Sequence, residues 1–178
     1  PENFAARHGF TKVDLSNIIN NFSSLKVCVV GDLIVDEYIT CDPLGLSKED
    51  PTIVVTPIAN EQFIGGAGIV AAHAAGLGAK VKLISVGGND DTRVFAENSL
   101  QSFNVDANII SDEIRPTSLK QRFRAEGKTL LRVSHLHQGT ISQPIQKSFI
   151  ALAKEAIKES DLLIFSDFNY GCLPQPVV

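Results

Sequence analysis

The 178-residue chain has no methionine and begins at Pro1. It carries no translational start of its own, so we expect it to be a piece of a longer chain. It has no basic excess: 16 Lys and Arg stand against 20 Asp and Glu, for a net charge of −4. An acidic, unclustered balance excludes an electrostatic nucleic-acid surface and a polybasic membrane patch. No segment offers the roughly 18 consecutive apolar residues of a membrane span. The nearest, residues 63–79, is broken by glycines and His73. The first residues do not follow the basic-then-apolar order of a signal peptide. Cysteine is sparse. Cys28, Cys41 and Cys172 lie far apart, with no C-x-x-C and no His/Cys cluster at zinc spacing. The expectation is a reduced, cytoplasmic protein in which Cys28, inside an apolar run, is a small buried hydrophobe. Internal repeats and low-complexity linkers are absent.

What is present suits one globular domain. Apolar residues make up 44% of the chain and charged residues 20%, enough for a well-buried core. Thr11-Lys12-Val13-Asp14 resembles a capping box, and Leu15, Ile18, Ile19 and Phe22 follow at helical spacing. Residues 26–31 form a short apolar run ending in Gly31, which suits a strand buried on both faces of a parallel sheet. Residues 35–40 and 52–58 read as two short strands around a polar loop. A small-residue helix spans 66–77, with Gly78 as its C-terminal cap. A strand follows at 80–86, then a helix capped by Asp90 or Asp91, and a strand at 106–110. Residues 118–124 and 129–134 flank Gly127 as a hairpin. Ser142 opens a helix with the stripe Ile145, Phe149, Leu152, Ala153 and Ala156, and 161–165 is a last buried strand. Alternating helix and strand predicts an α/β fold with a mainly parallel sheet. The hairpin breaks the alternation, and its polar pattern predicts a separate small sheet.

In open α/β sheets ligands sit beyond the C-terminal ends of the strands. That rule selects Asp32 after the first strand, Gly87-Gly88-Asn89-Asp90 after the 80–86 strand, and Asp167 after the last. Carboxylates there can hold sugar hydroxyls, or can cap helices and turns, as Asp does at strand ends generally. Gly65 and Gly66 open the small-residue helix, where backbone can approach a ligand. Gly66-Ala67-Gly68-Ile69-Val70-Ala71 also matches the dinucleotide pattern G-x-G-x-x-A. That pattern should follow a buried strand directly, and here residues 59–62 intervene after an edge-like strand. Lys120, Arg122 and Arg124 alternate, so they share one strand face, either as a phosphate-holding face or as a charged edge that resists aggregation. His73, His135 and His137 have no carboxylate at ligand spacing and read as structural or surface residues.

Several motifs in order carry a resemblance. They are residues 29–36 (Val-Val-Gly-Asp-Leu-Ile-Val-Asp), 47–51, 65–71, 76–79, 88–91, 116–122 and 166–171 (Ser-Asp-Phe-Asn-Tyr-Gly). From Lys26 onward the chain resembles the ribokinase-type (PfkB-like) carbohydrate kinases, most of all their heptose-phosphate kinase branch. The resemblance implies a Rossmann-like, ribokinase-like mainly parallel sheet flanked by helices, with a small inserted β lid at about 36–58 and 118–134 that often clasps a second subunit as a homodimer. It implies ATP-dependent phosphoryl transfer to a sugar or sugar-phosphate hydroxyl. Asp36 would hold sugar hydroxyls, Gly65 and Gly66 would approach the sugar, and Lys120 and Arg122 would sit near the acceptor's own phosphate. Asp167 would lie at the inner end of the site. It further implies that residues 1–178 are the N-terminal, acceptor-binding part of one kinase domain. The family's C-terminal half, with its Gly-Ala-Gly-Asp anion hole, catalytic base and main ATP and Mg2+ residues, is expected beyond Val178. No catalytic or metal residue is therefore expected among residues 1–178. Two positions depart from the family: Ile69 stands where Asn is usual, and Tyr170 where the heptose branch carries Lys.

Overall fold

A computed structural model of the chain describes residues 4–178. After the short helix α1 (Phe4–His8), Thr11 caps α2 (Lys12–Asn21) in a complete capping box with Asp14. No residue of α2 is buried. β1 (Lys26–Gly31) leads into β2 (Leu33–Leu46), β3 (Ile53–Gly65), α3 (Gly66–Gly76), β4 (Lys80–Gly87), α4 (Asp91–Ser102) and β5 (Val105–Ser111). The hairpin β6 (Ser118–Ala125) and β7 (Lys128–His135), α5 (Gln143–Lys158) and β8 (Leu162–Ser166) complete the order.

The strands form two sheets. β5-β4-β1-β8 is wholly parallel. β1 alternates across it: Val27 and Val29 meet α3 and α4 through Ala67, Ala71, Ala96 and Leu100, while Cys28 and Val30 meet α5 through Phe149 and Ala156. Burial on both faces is why this strand reads as a continuous apolar run. The second sheet, β3-β2-β6-β7, is the expected small lid sheet. Its hairpin turns through Glu126 and Gly127, both at positive φ, the backbone of the tight turns that match strand twist.

Four expectations need correction. The two short strands at 35–40 and 52–58 are instead long arms of 14 and 13 residues. β2 passes through Pro43 because β6 pairs with it only as far as Thr40. Beyond that point one side of β2 is open, and a missing N–H costs nothing there. Residues 59–62 are not a break but part of β3, held opposite residues 37–40. α3 thus follows a strand directly, but an antiparallel strand of the lid rather than the buried parallel strand a dinucleotide unit requires. β8 is not buried: Leu162 and Phe165 are about half exposed, because among the described strands only β1 flanks it. On α5, Leu152 lies off the buried stripe. No described helix is long and apolar enough to cross a membrane.

Candidate functional site

The carboxyl ends of β1 and β8 meet the base of the lid, and Asp32 lies at the junction. It is 1% exposed. One carboxylate oxygen accepts the backbone N–H groups of Phe168 (2.8 Å) and Tyr170 (3.2 Å), and the other accepts that of Cys172 (3.1 Å). Three charge-assisted hydrogen bonds use both oxygens, so Asp32 holds the loop after β8 rather than facing the crevice. The same loop is pinned by Arg115, which donates to the Tyr170 carbonyl (2.9 Å), to the Gly139 carbonyl (2.8 Å) and to Asp112 (3.0 Å). Arg115 and Asp112 are both buried. Burial and the Asp32 charge push the Cys172 thiol up to about 12.

Gly65 and Gly66 turn the chain from β3 into α3. Gly66 has φ +55°, and a Cβ there would lie 2.3 Å from the Asp32 carbonyl oxygen. That carbonyl accepts the Ala67 N–H at 2.8 Å. A Cβ on Gly65 would lie 2.6 Å from Oδ2 of Asp36. The missing side chain at Gly65 makes room for the Asp36 carboxylate.

Asp36, Tyr38 and Thr40 of β2 share one face of the lid, and in register beside them on β6 stand Lys120, Arg122 and Arg124. Arg122 donates to Oδ1 of Asp36, which holds its guanidinium still more firmly protonated. Oδ2 of Asp36 makes no hydrogen bond among the described residues. Arg122 and Arg124 also lie over the Tyr38 ring, at 5.1 and 5.8 Å. A depression of about 470 Å³ opens here, lined by Asp36, Tyr38, Thr40, Glu61, Phe63 and Arg124. The Lys120 ammonium bridges from the lid to the loop after β8, 4.9 Å from the Tyr170 ring centroid and 5.7 Å from that of Phe168.

The structure therefore brings Asp36 beside Gly65, Lys120 and Arg122 at the crevice face of the lid, with Gly66 against Asp32 at the junction below. Asp167 begins the loop but is exposed, and its carboxylate is turned locally onto the Asn169 N–H (2.7 Å). Asp90 caps α4 through the Arg93 N–H and accepts the Thr117 N–H with its other oxygen. His73 is exposed, and His135 contacts Gln121 on the far face of the lid. Val178, beyond which the resemblance places the catalytic base, is exposed at the surface. Among the described residues no three His, Cys, Asp or Glu side chains gather as a metal site. Arg115, Tyr38 and Phe168 escaped notice in the sequence. Only the Asp112-x-x-Arg115 spacing could have hinted at the buried pair. A separate cavity of about 410 Å³ lies at the opposite, amino-terminal ends of β1 and β4, among Lys26, Lys80, Lys82 and Glu159, away from the glycines.

No family model matches the chain. It is similar to curated proteins named bifunctional protein HldE. With that of Nitratiruptor sp. it shares 32% identity over 154 residues, 85% of this chain and 33% of the relative. With that of Helicobacter pylori strain P12 it shares 35% over 149 residues, 83% of this chain and 32% of the relative. The chain thus spans about a third of the length of the curated relatives it matches. Among solved structures it is similar to a carbohydrate kinase from Agrobacterium tumefaciens, with a TM-score of 0.59, 18% identity, and 79% of this chain and 45% of that one covered. A sugar kinase from Pyrococcus horikoshii in complex with ATP gives a TM-score of 0.54 at 19% identity, covering 78% of this chain and 42% of that one. The fold is that of the ribokinase-like carbohydrate kinases.

Proposed function

We propose that this chain is the acceptor-binding part of an ATP-dependent carbohydrate kinase that phosphorylates a hydroxyl of a sugar or sugar phosphate, with a heptose phosphate as the favoured acceptor. The observation that carries the reading is the open Oδ2 of Asp36 beside Gly65, on the same lid face as Lys120 and Arg122. In this reading Oδ2 accepts from a sugar hydroxyl, and the Gly65–Gly66 backbone lets the ring approach. Lys120 and Arg122 meet the acceptor's own phosphate. Asp32 acts through the loop it holds, and Asp167 borders the inner end.

In-line phosphoryl transfer needs a base on the acceptor hydroxyl and cationic or backbone stabilisation of the moving group. The described residues offer polar groups suited to an acceptor and no carboxylate cluster for Mg2+. The resemblance assigns the base and the main ATP and Mg2+ residues to sequence beyond Val178. We therefore propose that residues 1–178 alone bind acceptor without transferring phosphate from ATP, and that the lid joins two copies in the working protein.

Asp36→Asn tests the site. It keeps the shape and removes the charge, and weakens heptose-phosphate binding by roughly 1.5–3 kcal/mol, on the order of 10–100-fold. Calorimetric titration of the full-length protein measures this, with a thermal melt of each variant beside it. Unchanged affinity with a lowered melting point would make Asp36 a partner of Arg122 and nothing more. A second reading, a sugar-binding module without catalysis, draws on Ile69, which packs against the apolar core with no polar side-chain atom, and on Tyr170, which stands where the heptose branch carries Lys. ATP-dependent phosphorylation of a heptose phosphate by the full-length protein separates the two.

A further inference from the structure

Two cations of the lid meet the crevice in different ways. Arg122 shares its charge with Asp36, whereas Lys120 makes no ion pair among the described residues. Its ammonium lies instead against two rings, Tyr170 and Phe168. An aromatic face attracts a cation through its quadrupole and leaves the charge uncancelled. A carboxylate in the same place would cancel it.

The backbone that carries the rings is itself fixed. The N–H groups of Phe168, Tyr170 and Cys172 converge on the buried carboxylate of Asp32, and the Tyr170 carbonyl is tied to the buried Arg115. Moving this stretch of backbone away from Lys120 means breaking charge-assisted bonds to two buried side chains. A lysine side chain is otherwise a flexible four-carbon stem, and binding through it is weakened by the freedom it loses. Two ring faces against the ammonium, carried on a pinned backbone, restrict that freedom before a ligand arrives.

We infer that Phe168 and Tyr170 are positioning residues. They hold the Lys120 ammonium, free of an ion-pair partner among the described residues, where the phosphate of a sugar phosphate meets it, and so they set the preference for phosphorylated over free sugar. The inference rests on the reading that Lys120 faces the acceptor's phosphate. The ring face does the holding. Tyr170→Phe therefore keeps the effect, while leucine, similar in bulk but without the quadrupole, loses it.

The experiment is calorimetric titration of the full-length protein with a heptose phosphate and with the matching free heptose. The wild type, Lys120→Met, Tyr170→Phe and the double variant Phe168→Leu/Tyr170→Leu are compared. The wild type and Tyr170→Phe should prefer the phosphorylated sugar equally. Lys120→Met should lose the preference. The double variant should lose about tenfold in affinity for the heptose phosphate, within the range of two partly exposed cation–π contacts, and none for free heptose. If the double variant keeps the wild-type preference while Lys120→Met loses it, the rings do not position Lys120, and the phosphate reading of Lys120 stands. If Lys120→Met keeps the preference, that reading fails and the inference with it. Equal loss of affinity for both sugars in the double variant also overturns the inference, because it assigns the rings to loop packing alone.

Discussion

Asp32 and Asp36 stand four residues apart and do different work. Burial separates them. Asp32 satisfies three backbone donors at the sheet, while Asp36, a quarter exposed, keeps one oxygen open. Asp32→Asn turns one acceptor into a donor facing N–H groups and removes the charge. The loss is on the order of 3 kcal/mol of stability, read by chemical denaturation. A loss below about 1 kcal/mol would mean that the loop does not depend on this carboxylate. The strand-end rule marked Asp32 and the family resemblance marked Asp36, but neither could say which was consumed, because the donors of Phe168, Tyr170 and Cys172 come from more than 130 residues away. Arg115 was illegible for the same reason. Its partners, apart from Asp112, are carbonyls, and any residue type can supply those. Cys172 gives a pH signature. Its folded pKa near 12 exceeds the ordinary value of 9.0. The neutral thiol is thus favoured by folding. Its contribution is complete below pH 9 and is lost as the pH rises towards 12, when the unfolded thiol ionises first, at up to about 1.4 kcal/mol per unit. The stability curve of the wild type should therefore fall more steeply above pH 9 than that of Cys172→Ala. Parallel curves would discount the shift.

At the scale of elements, the parallel sheet was legible and the lid was underestimated. β1 and α5 announce themselves by apolar pattern, since each buries one coherent set of side chains. The lid arms do not, because Asn60 and Gln62 are poor strand formers. They belong in β3 through Glu37, a buried carboxylate that accepts an amide hydrogen from each at 3.1 Å and a third from Gln121 at 2.6 Å. Long-range satisfaction of that charge outweighs local propensity, which spans only about 1 kcal/mol. The two ends of α3 offer a paired test. Gly66→Ala forces a Cβ against the Asp32 carbonyl at positive φ and should cost on the order of 3 kcal/mol. Gly76, the last residue of the same helix, has nothing within 4 Å of a built Cβ. Gly76→Ala should stabilise by about 0.5–1 kcal/mol. Equal effects at both ends would contradict the tight β3–α3 junction.

At the scale of the whole molecule, we expect the far face of the lid to take a second copy. Sheets with one solvated face carry polar residues outward. The face opposite Asp36 carries the polar Glu37 network, but beside it lies a depression of about 420 Å³ with the apolar residues Ile39, Pro57, Ile58 and Phe123 in its lining. Ile58 and Leu131 stand more than half exposed around it, and β3 forms an open edge with Ile53 and Val54 uncovered. An apolar open edge pairs readily with another strand. A second copy of the lid offers the same surface in a self-complementary form, as a twofold interface requires. β2, at about 3.4 Å per residue over its 14 residues, is long enough for two crossed lids to bury the roughly 800 Å² per partner of a stable interface. The full-length protein should therefore sediment as a dimer. Ile58→Asp with Leu131→Asp places charges on that face and should give a monomer. Both residues lie across the sheet from the crevice, so acceptor binding through Asp36 should persist in that monomer unless the partner copy contributes to the site. A wild type that sediments as a monomer at every concentration would remove the clasp and leave the exposed lid face without an occupant.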